Sequence, residues 1–176
     1  IFSRGIDSKR FNTDYRNESL RRKLGIENKT TFLYVGRVSY EKDLDILNES
    51  YKAIKGKYGD EVALVITGEG PYLERCTETF GNVVLEAMTS GLAVIGADAG
   101  GIKEIIRHKH NGLKFKARDA GQLYDCMAEL MENRNLREYL KVNGIKFGRN
   151  RSWDKIIGGL VDIYREVLEE RSTISA

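Results

Sequence analysis

Two short runs constrain this chain most. Thr30–Val35 (TTFLYV) and Val62–Thr67 (VALVIT) are each six residues of β-branched, aromatic and aliphatic side chains, and each is closed at once by a glycine, Gly36 or Gly68. A nearly continuous apolar run of that length reads as a parallel strand buried on both faces. Between them Leu44, Leu47, Tyr51 and Ile54 recur at helical spacing. Strand, helix, strand is the unit from which parallel α/β sheets are built.

The rest of the sequence continues the pattern. Glu18 to Leu24 reads as a short helix stopped by Gly25, and Phe80 to Ser90 as a helix closed by Gly91. Leu92 to Ile95 reads as a third strand, Gly100–Gly101 as the start of a helix running to Ile106, and Gly112 to Phe115 as a fourth strand. The last third is helical: Leu123, Met127, Leu130 and Met131 form one apolar stripe, and Trp153, Ile156, Ile157, Leu160, Val161, Tyr164, Val167 and Leu168 form another. Gly158 and Gly159 interrupt that second stripe and suggest close packing or a kink. The expectation is an α/β, Rossmann-like parallel sheet with helices on both faces. Its ligand would sit at the carboxyl ends of the strands, which here are Gly36, Gly68, Ala97–Gly101 and the loop before Phe80.

Composition narrows the function. Of 176 residues, 41% are hydrophobic, enough for a packed core, and the net charge of +3 is too small by itself to argue for a nucleic acid or an anionic membrane. The two cysteines, Cys76 and Cys126, have no metal-ligand spacing and fit a reducing compartment. No apolar run approaches the roughly 20 residues of a membrane helix, and no leader is legible. The chain begins on Ile rather than Met, which reads as a piece of a longer one.

One stretch breaks the rhythm. Gly70–Pro71 should open a helix, yet Thr77–Glu78–Thr79–Phe80 leads into the next helix a few residues later. A crossover between parallel strands needs at least about 10–12 residues. Residues are therefore expected to be missing between about 74 and 77.

Chemistry-bearing residues gather at the predicted strand ends. Arg37 follows the first strand directly and Lys42 stands just before the next helix. A fork of donors and a point charge at one strand end suit a diphosphate. Gly68–Glu69–Gly70–Pro71 follows the second strand, where small residues allow a ring or ribose to approach backbone. Glu78 and Glu86 are eight residues apart across a loop-to-helix junction. On one helix they would be ~12 Å and ~80° apart, too far for the pair of carboxylates roughly 5–9.5 Å apart that cleaves glycosides. Each is better placed to grip a different part of an extended ligand. Glu86 shares a face with Asn82 and Ser90, opposite Val84, Leu85 and Met88, while Gly81, Asn82 and Val83 would present N–H groups at a helix start.

Singly these signals are weak; their order is not. Val35–Gly36–Arg37–x4–Lys42, Gly68–Glu69–Gly70–Pro71, Glu78–x7–Glu86 enclosing Thr79–Phe80–Gly81, and Ala99–Gly100–Gly101–Ile102–x–Glu104 resemble the carboxyl-terminal domain of family 4 retaining glycosyltransferases of the GT-B fold. Gly5–Ile6–Asp7–x3–Phe11 resembles that family's interdomain linker, and Ser152–Trp153 with the final helix resembles its closing helix. The resemblance divides the chain into a linker remnant at 1–17 and a nucleotide-sugar-binding domain at 18–176. It implies transfer of a hexosyl group from a nucleoside-diphosphate sugar to an acceptor hydroxyl with retention of configuration. By motif position Arg37 and Lys42 would hold the diphosphate. Glu78 and the backbone from Phe80 through Gly81 to Asn82 would meet the sugar, Val83 would lie near the phosphates, and Glu86 would bond the ribose. Gly36, Gly68 and Gly70 would border the nucleotide.

The family's amino-terminal acceptor domain is absent, so this piece alone is expected to bind donor without transferring sugar. Charge growing on the diphosphate oxygen would be met by Arg37 and Lys42. Glu78 has no partner at nucleophile spacing, which favours same-face attack with the leaving phosphate taking the acceptor's proton. No metal is expected, and no other cofactor is implied. The implied partners are the donor, the chain's own amino-terminal domain, and a lipid-linked or glycan acceptor, at a cytoplasmic location or the cytoplasmic face of a membrane. A non-catalytic nucleotide-sugar-binding module is the alternative, and an epimerase on the same fold would need a different acid/base set. His108 and His110 lack the further ligands of a metal site. Cys126 reads as core packing. The basic run of Lys9, Arg10, Arg16, Arg21, Arg22 and Lys23 reads as a solvated face, with docking to the absent domain or an anionic membrane as the sharper option.

Overall fold

The computed structural model describes residues 5–36, 44–68 and 82–174. Its elements in chain order are α1 (Glu18–Lys23), β1 (Thr30–Val35), α2 (Leu44–Tyr58), β2 (Val62–Thr67), α3 (Asn82–Thr89), β3 (Ile95–Ala97), α4 (Ile102–Ile105), β4 (Leu113–Phe115), α5 (Ala120–Glu132), α6 (Arg134–Arg149) and α7 (Trp153–Ile174). β1 pairs with β2 and β3 with β4, both parallel. Thr30 lies opposite Val62 and Val35 opposite Thr67, so the first two strands end level. The α/β parallel architecture expected from the alternating pattern is therefore present.

β1 and β2 occupy the residues the apolar runs predict, but they are not buried on both faces. Successive side chains of a strand point to opposite faces. Phe32 and Val62 pack with Ile54 of α2 and with Leu123 and Met127 of α5. Leu33, on the other face of β1, is 50% exposed, and Ile66 near the end of β2 is 49% exposed. A parallel pair is covered twice only when crossover helices lie on both faces. Among the described residues β1–β2 and β3–β4 also remain two separate hydrogen-bonded pairs.

The third strand starts at Ile95 rather than Leu92, and the reason is local. α3 ends in a left-handed turn at Gly91 (φ +78°), where the Gly91 N–H donates to the Met88 carbonyl and the Leu92 N–H to that of Ala87. This C-cap uses Leu92 for the helix, leaving the ladder to begin later. The helical last third holds three helices, α5, α6 and α7, where two stripes are legible in the sequence. Asn133 ends α5 and caps α6 by accepting from the Leu136 N–H. Gly158 and Gly159 do not interrupt α7 and have no close neighbour: a methyl on either would meet nothing within 4 Å. The α7 stripe is not core among the described residues either, since Trp153, Ile157, Val161 and Tyr164 are all exposed.

Ile6, in the segment read as a linker, is buried with Leu85, Met88, Val94, Ile105 and Ile106. Its N–H donates to the Arg151 carbonyl at 2.9 Å, and the Trp153 N–H donates back to its carbonyl at 3.3 Å. Cys126 packs with Leu113, Leu130 and Leu140, as its helical surroundings imply. Among the described residues no helix is long and apolar enough to cross a membrane.

Candidate functional site

The level ends of β1 and β2 bring Gly36 and Gly68 into contact. The Gly36 N–H donates to the Thr67 carbonyl at 3.1 Å. A methyl at Gly68, whose φ is +150°, would lie 1.7 Å from the Gly36 carbonyl oxygen. No side chain fits there, and bare backbone at paired strand ends is where ligands of parallel α/β sheets sit. Tyr34 stands beneath: a methyl at Gly36 would be 3.1 Å from its hydroxyl. Burial pushes the Tyr34 phenol up from its ordinary value. The sequence reading missed Tyr34, because in a six-residue apolar run it counts only as a strand former.

α3 carries the second group. Asn82 is exposed at its first position, Val83 is half-buried, and Glu86 is half-buried one turn on. Residues four apart share a helix face, so Asn82 and Glu86 lie together as expected. Leu85 and Met88 are fully buried on the other side. The helix is clamped at its far end, where the buried Thr89 hydroxyl donates to the Leu85 carbonyl at 2.6 Å. Gly144 and Gly148 of α6 face Met88 and Thr89. Their G-x-x-x-G spacing is the sequence signal that marks this contact.

Gly36, Gly68, Asn82, Val83 and Glu86 are thus placed at strand ends or on α3. Arg37, Lys42, Gly70, Glu78, Phe80 and Gly81 lie outside the described residues. The Gly100–Gly101 turn leads into α4, which is only four residues long. Beside it Asp98 pairs with Lys114 at 2.9 Å, and that bond holds the Asp98 carboxyl below the usual carboxylate range.

The two histidines have structural partners. His108 Nδ1 accepts the Lys114 N–H at 2.9 Å, and His110 lies edge-on to Tyr139. Among the described residues no three His, Cys, Asp or Glu side chains gather as a metal site.

The Glycosyl transferases group 1 family matches residues 16–77 and 73–147. The chain belongs to that family. A GDP-mannose-dependent alpha-mannosyltransferase of Mycobacterium tuberculosis is 30% identical over 203 residues, covering 99% of this chain and 53% of the relative. The Arabidopsis thaliana sulfoquinovosyl transferase is 29% identical over 180 residues, covering 80% of this chain and 34% of its own length. This group 1 chain therefore spans about half or less of those relatives.

Solved structures agree on the fold. Anabaena HepE, in complex with UDP and glucose, superposes with a TM-score of 0.73 at 20% identity, over 96% of this chain and 55% of HepE. The carboxyl-terminal domain of the Francisella tularensis group 1 protein LpcC superposes at 0.71 with 20% identity, over 84% of this chain and 98% of that domain. The second match is to an isolated carboxyl-terminal domain, which fits the GT-B half expected from the motifs.

Proposed function

We propose that this chain is the nucleotide-sugar-binding half of a retaining hexosyltransferase. The observation that carries the reading is the Gly36–Gly68 contact, bare backbone at the carboxyl ends of two level parallel strands. In sequence it is followed by Arg37 and Lys42 on one side and Gly70 on the other. Membership of a glycosyltransferase family adds to it, as does a fold shared with a protein solved with UDP and glucose.

In this reading the nucleoside diphosphate lies across the strand ends. Glu86 accepts hydrogen bonds from the ribose hydroxyls, and the backbone at Phe80 to Val83 meets the sugar and phosphates. Arg37 and Lys42 stabilise the charge that grows on the leaving diphosphate, with no metal called for. Glu78 contacts the sugar rather than attacking it. The acceptor hydroxyl attacks from the face the diphosphate leaves, and a phosphate oxygen takes its proton.

The acceptor, lipid-linked or glycan, would be held by a preceding domain of the same protein. Two observations support an internal stretch lost near 74–77. The family match falls into two stretches meeting at 73–77. The mannosyltransferase alignment runs over 203 positions, against 176 residues in this chain. Residues 5–29 hold seven cations and four acids, so the whole +3 surplus falls there. This supports a peripheral membrane face at that end, tested by salt-dependent flotation with anionic vesicles; no binding at low salt ends it.

Calorimetry with UDP and GDP tests the donor site. Binding by the chain, weakened about tenfold or more in Glu86→Gln, supports it; unchanged affinity refutes it. In the full-length enzyme Arg37→Ala with Lys42→Ala should abolish turnover while leaving the melting temperature in place. A non-catalytic binding module would show donor binding but no turnover in the full-length protein.

A further inference from the structure

We infer that Gly144 and Gly148 of α6 are positioning residues for the donor site: they set how deeply α3 seats, and so where Asn82 and Glu86 stand. The inference rests on the donor reading above. The two glycines are one turn apart and lie on one face of α6. A methyl at Gly148 would sit 2.2 Å from the Thr89 hydroxyl oxygen and 3.3 Å from Thr89 Cβ. A methyl at Gly144 would sit 3.3 Å from Met88 Cγ. Thr89 is 1% exposed and has little room to turn. Its hydroxyl is held by the Leu85 carbonyl at 2.6 Å, so any other rotamer gives up that bond, and one of the two puts the methyl where the oxygen was.

Thr89 Cβ stays 3.3 Å away whatever the rotamer, so the contact at Gly148 is fully relieved only by moving α3 against α6. α3 is eight residues long, and its hydrogen-bonded backbone ties Thr89 to the residues one turn before it. Glu86 lies less than one turn from Thr89, so a shift at the clamp is passed to the carboxylate. A misplacement of about 1 Å can cost a catalysed rate up to about a hundredfold, and the hydrogen bonds of a ligand-gripping carboxylate weaken steeply with distance and angle. Neither glycine touches the proposed ligand; both act through Thr89 and Met88. Gly91 adds to the same seating, since a methyl there would lie 2.8 Å from Thr13 Cγ2.

The test is a size swap read by nucleotide affinity. UDP and GDP are titrated calorimetrically, well below the melting temperature, into the chain and into Gly148→Ala, Thr89→Ala, Gly148→Ala with Thr89→Ala, and Glu86→Gln. Gly148→Ala should bind about fivefold or more weakly, and the double variant should return to within about twofold of Thr89→Ala. That rescue is what a loss of general stability would not give. If Glu86→Gln weakens binding but Gly148→Ala does not, or if the double variant is not rescued, the positioning role is wrong while the donor site stands. If Glu86→Gln binds as the parent does, or the parent binds neither nucleotide, the donor reading fails and takes this inference with it. Should Gly148→Ala not fold, Gly144→Ala reads the same seam through the more pliable Met88. A loss of about twofold then supports the role, and unchanged affinity contradicts it.

Discussion

Gly5 lies flat beneath the indole of Trp153. A methyl at Gly5 would sit 2.3 Å from Trp153 Cδ2, and the next residue, Ile6, exchanges backbone hydrogen bonds with Arg151 and Trp153. The stretch before α1 and the start of α7 are thus one packed unit, although almost 150 residues separate them in sequence. Gly5→Ala should destabilise the chain by about 1–3 kcal/mol through overpacking, at the low end because Trp153 is half exposed and can yield. Thermal unfolding at neutral pH checks this, and an unchanged midpoint would show that the indole does not rest there in solution.

Asn111 is 1% exposed, donates from Nδ2 to the Ile105 carbonyl at 3.1 Å, and accepts the Arg107 N–H at 2.7 Å. It closes the turn between α4 and β4. Asn111→Ala should cost about 1–3 kcal/mol, since both backbone partners lose their bond. Asn111→Asp should cost more at neutral pH, because a buried carboxylate disfavours its charged form. Its folded pKa would be raised, so the deficit should shrink as the pH falls and the acid is protonated. Denaturant unfolding at pH 7 and pH 4.5 separates the two substitutions; equal deficits at both pH values would contradict the account.

Glu132 at the end of α5 is tied to α2, accepting from Lys57 Nζ at 2.7 Å and from the Tyr58 hydroxyl at 2.6 Å. The Lys57 bond and then the Tyr58 bond hold its carboxyl below the ordinary value. Asp98 and Asp60 are lowered in the same sense by Lys114 and Lys55. A depressed folded pKa contributes stability that is complete above the unfolded value and is lost as the pH falls through the folded one. Melting temperature should therefore stay level from neutral pH to about 5 and fall below about 4. Glu132→Gln should flatten part of that acid limb, and an identical limb would remove Glu132 from it.

Cys126 is buried, and burial first, with Glu129 and Asp125 adding, pushes its thiol up to about 11. An ordinary cysteine titrates near 8.5 and reacts as the thiolate. Alkylation of Cys126 at pH 7.5, followed by peptide mass spectrometry, should be roughly two orders of magnitude slower in the folded chain than in denaturant. Equal rates would mean that the α5 face is open.

Much of this architecture could be read from side-chain period alone. β1 and β2 fall where TTFLYV and VALVIT stand, because β-branched runs closed by glycine have few other homes. The face of α3 that carries Asn82 and Glu86 follows from 3.6 residues per turn once Leu85 and Met88 are taken as core. What could not be read depends on contacts distant in sequence. Whether Leu33 is covered depends on which elements cross its face. Where β3 begins depends on the cap at Gly91. That Gly158 and Gly159 pack against nothing while Gly144 and Gly148 seat a helix depends on which face of each helix meets a neighbour. In the site, glycine spacing pointed to the Gly36–Gly68 contact, while Tyr34 and Thr89 carry no local signature. Arg37, Lys42, Gly70, Glu78, Phe80 and Gly81 remain expectations from the motifs.

The most direct test of the donor site is a titration of UDP, and separately GDP, into the 15N-labelled chain, followed by amide NMR. The account predicts that the largest shifts fall at Gly36, Gly68, Asn82, Val83 and Glu86, with α5 and the outer face of α6 unmoved. Saturable shifts centred on any other part of the molecule, with those five amides unmoved, would contradict it.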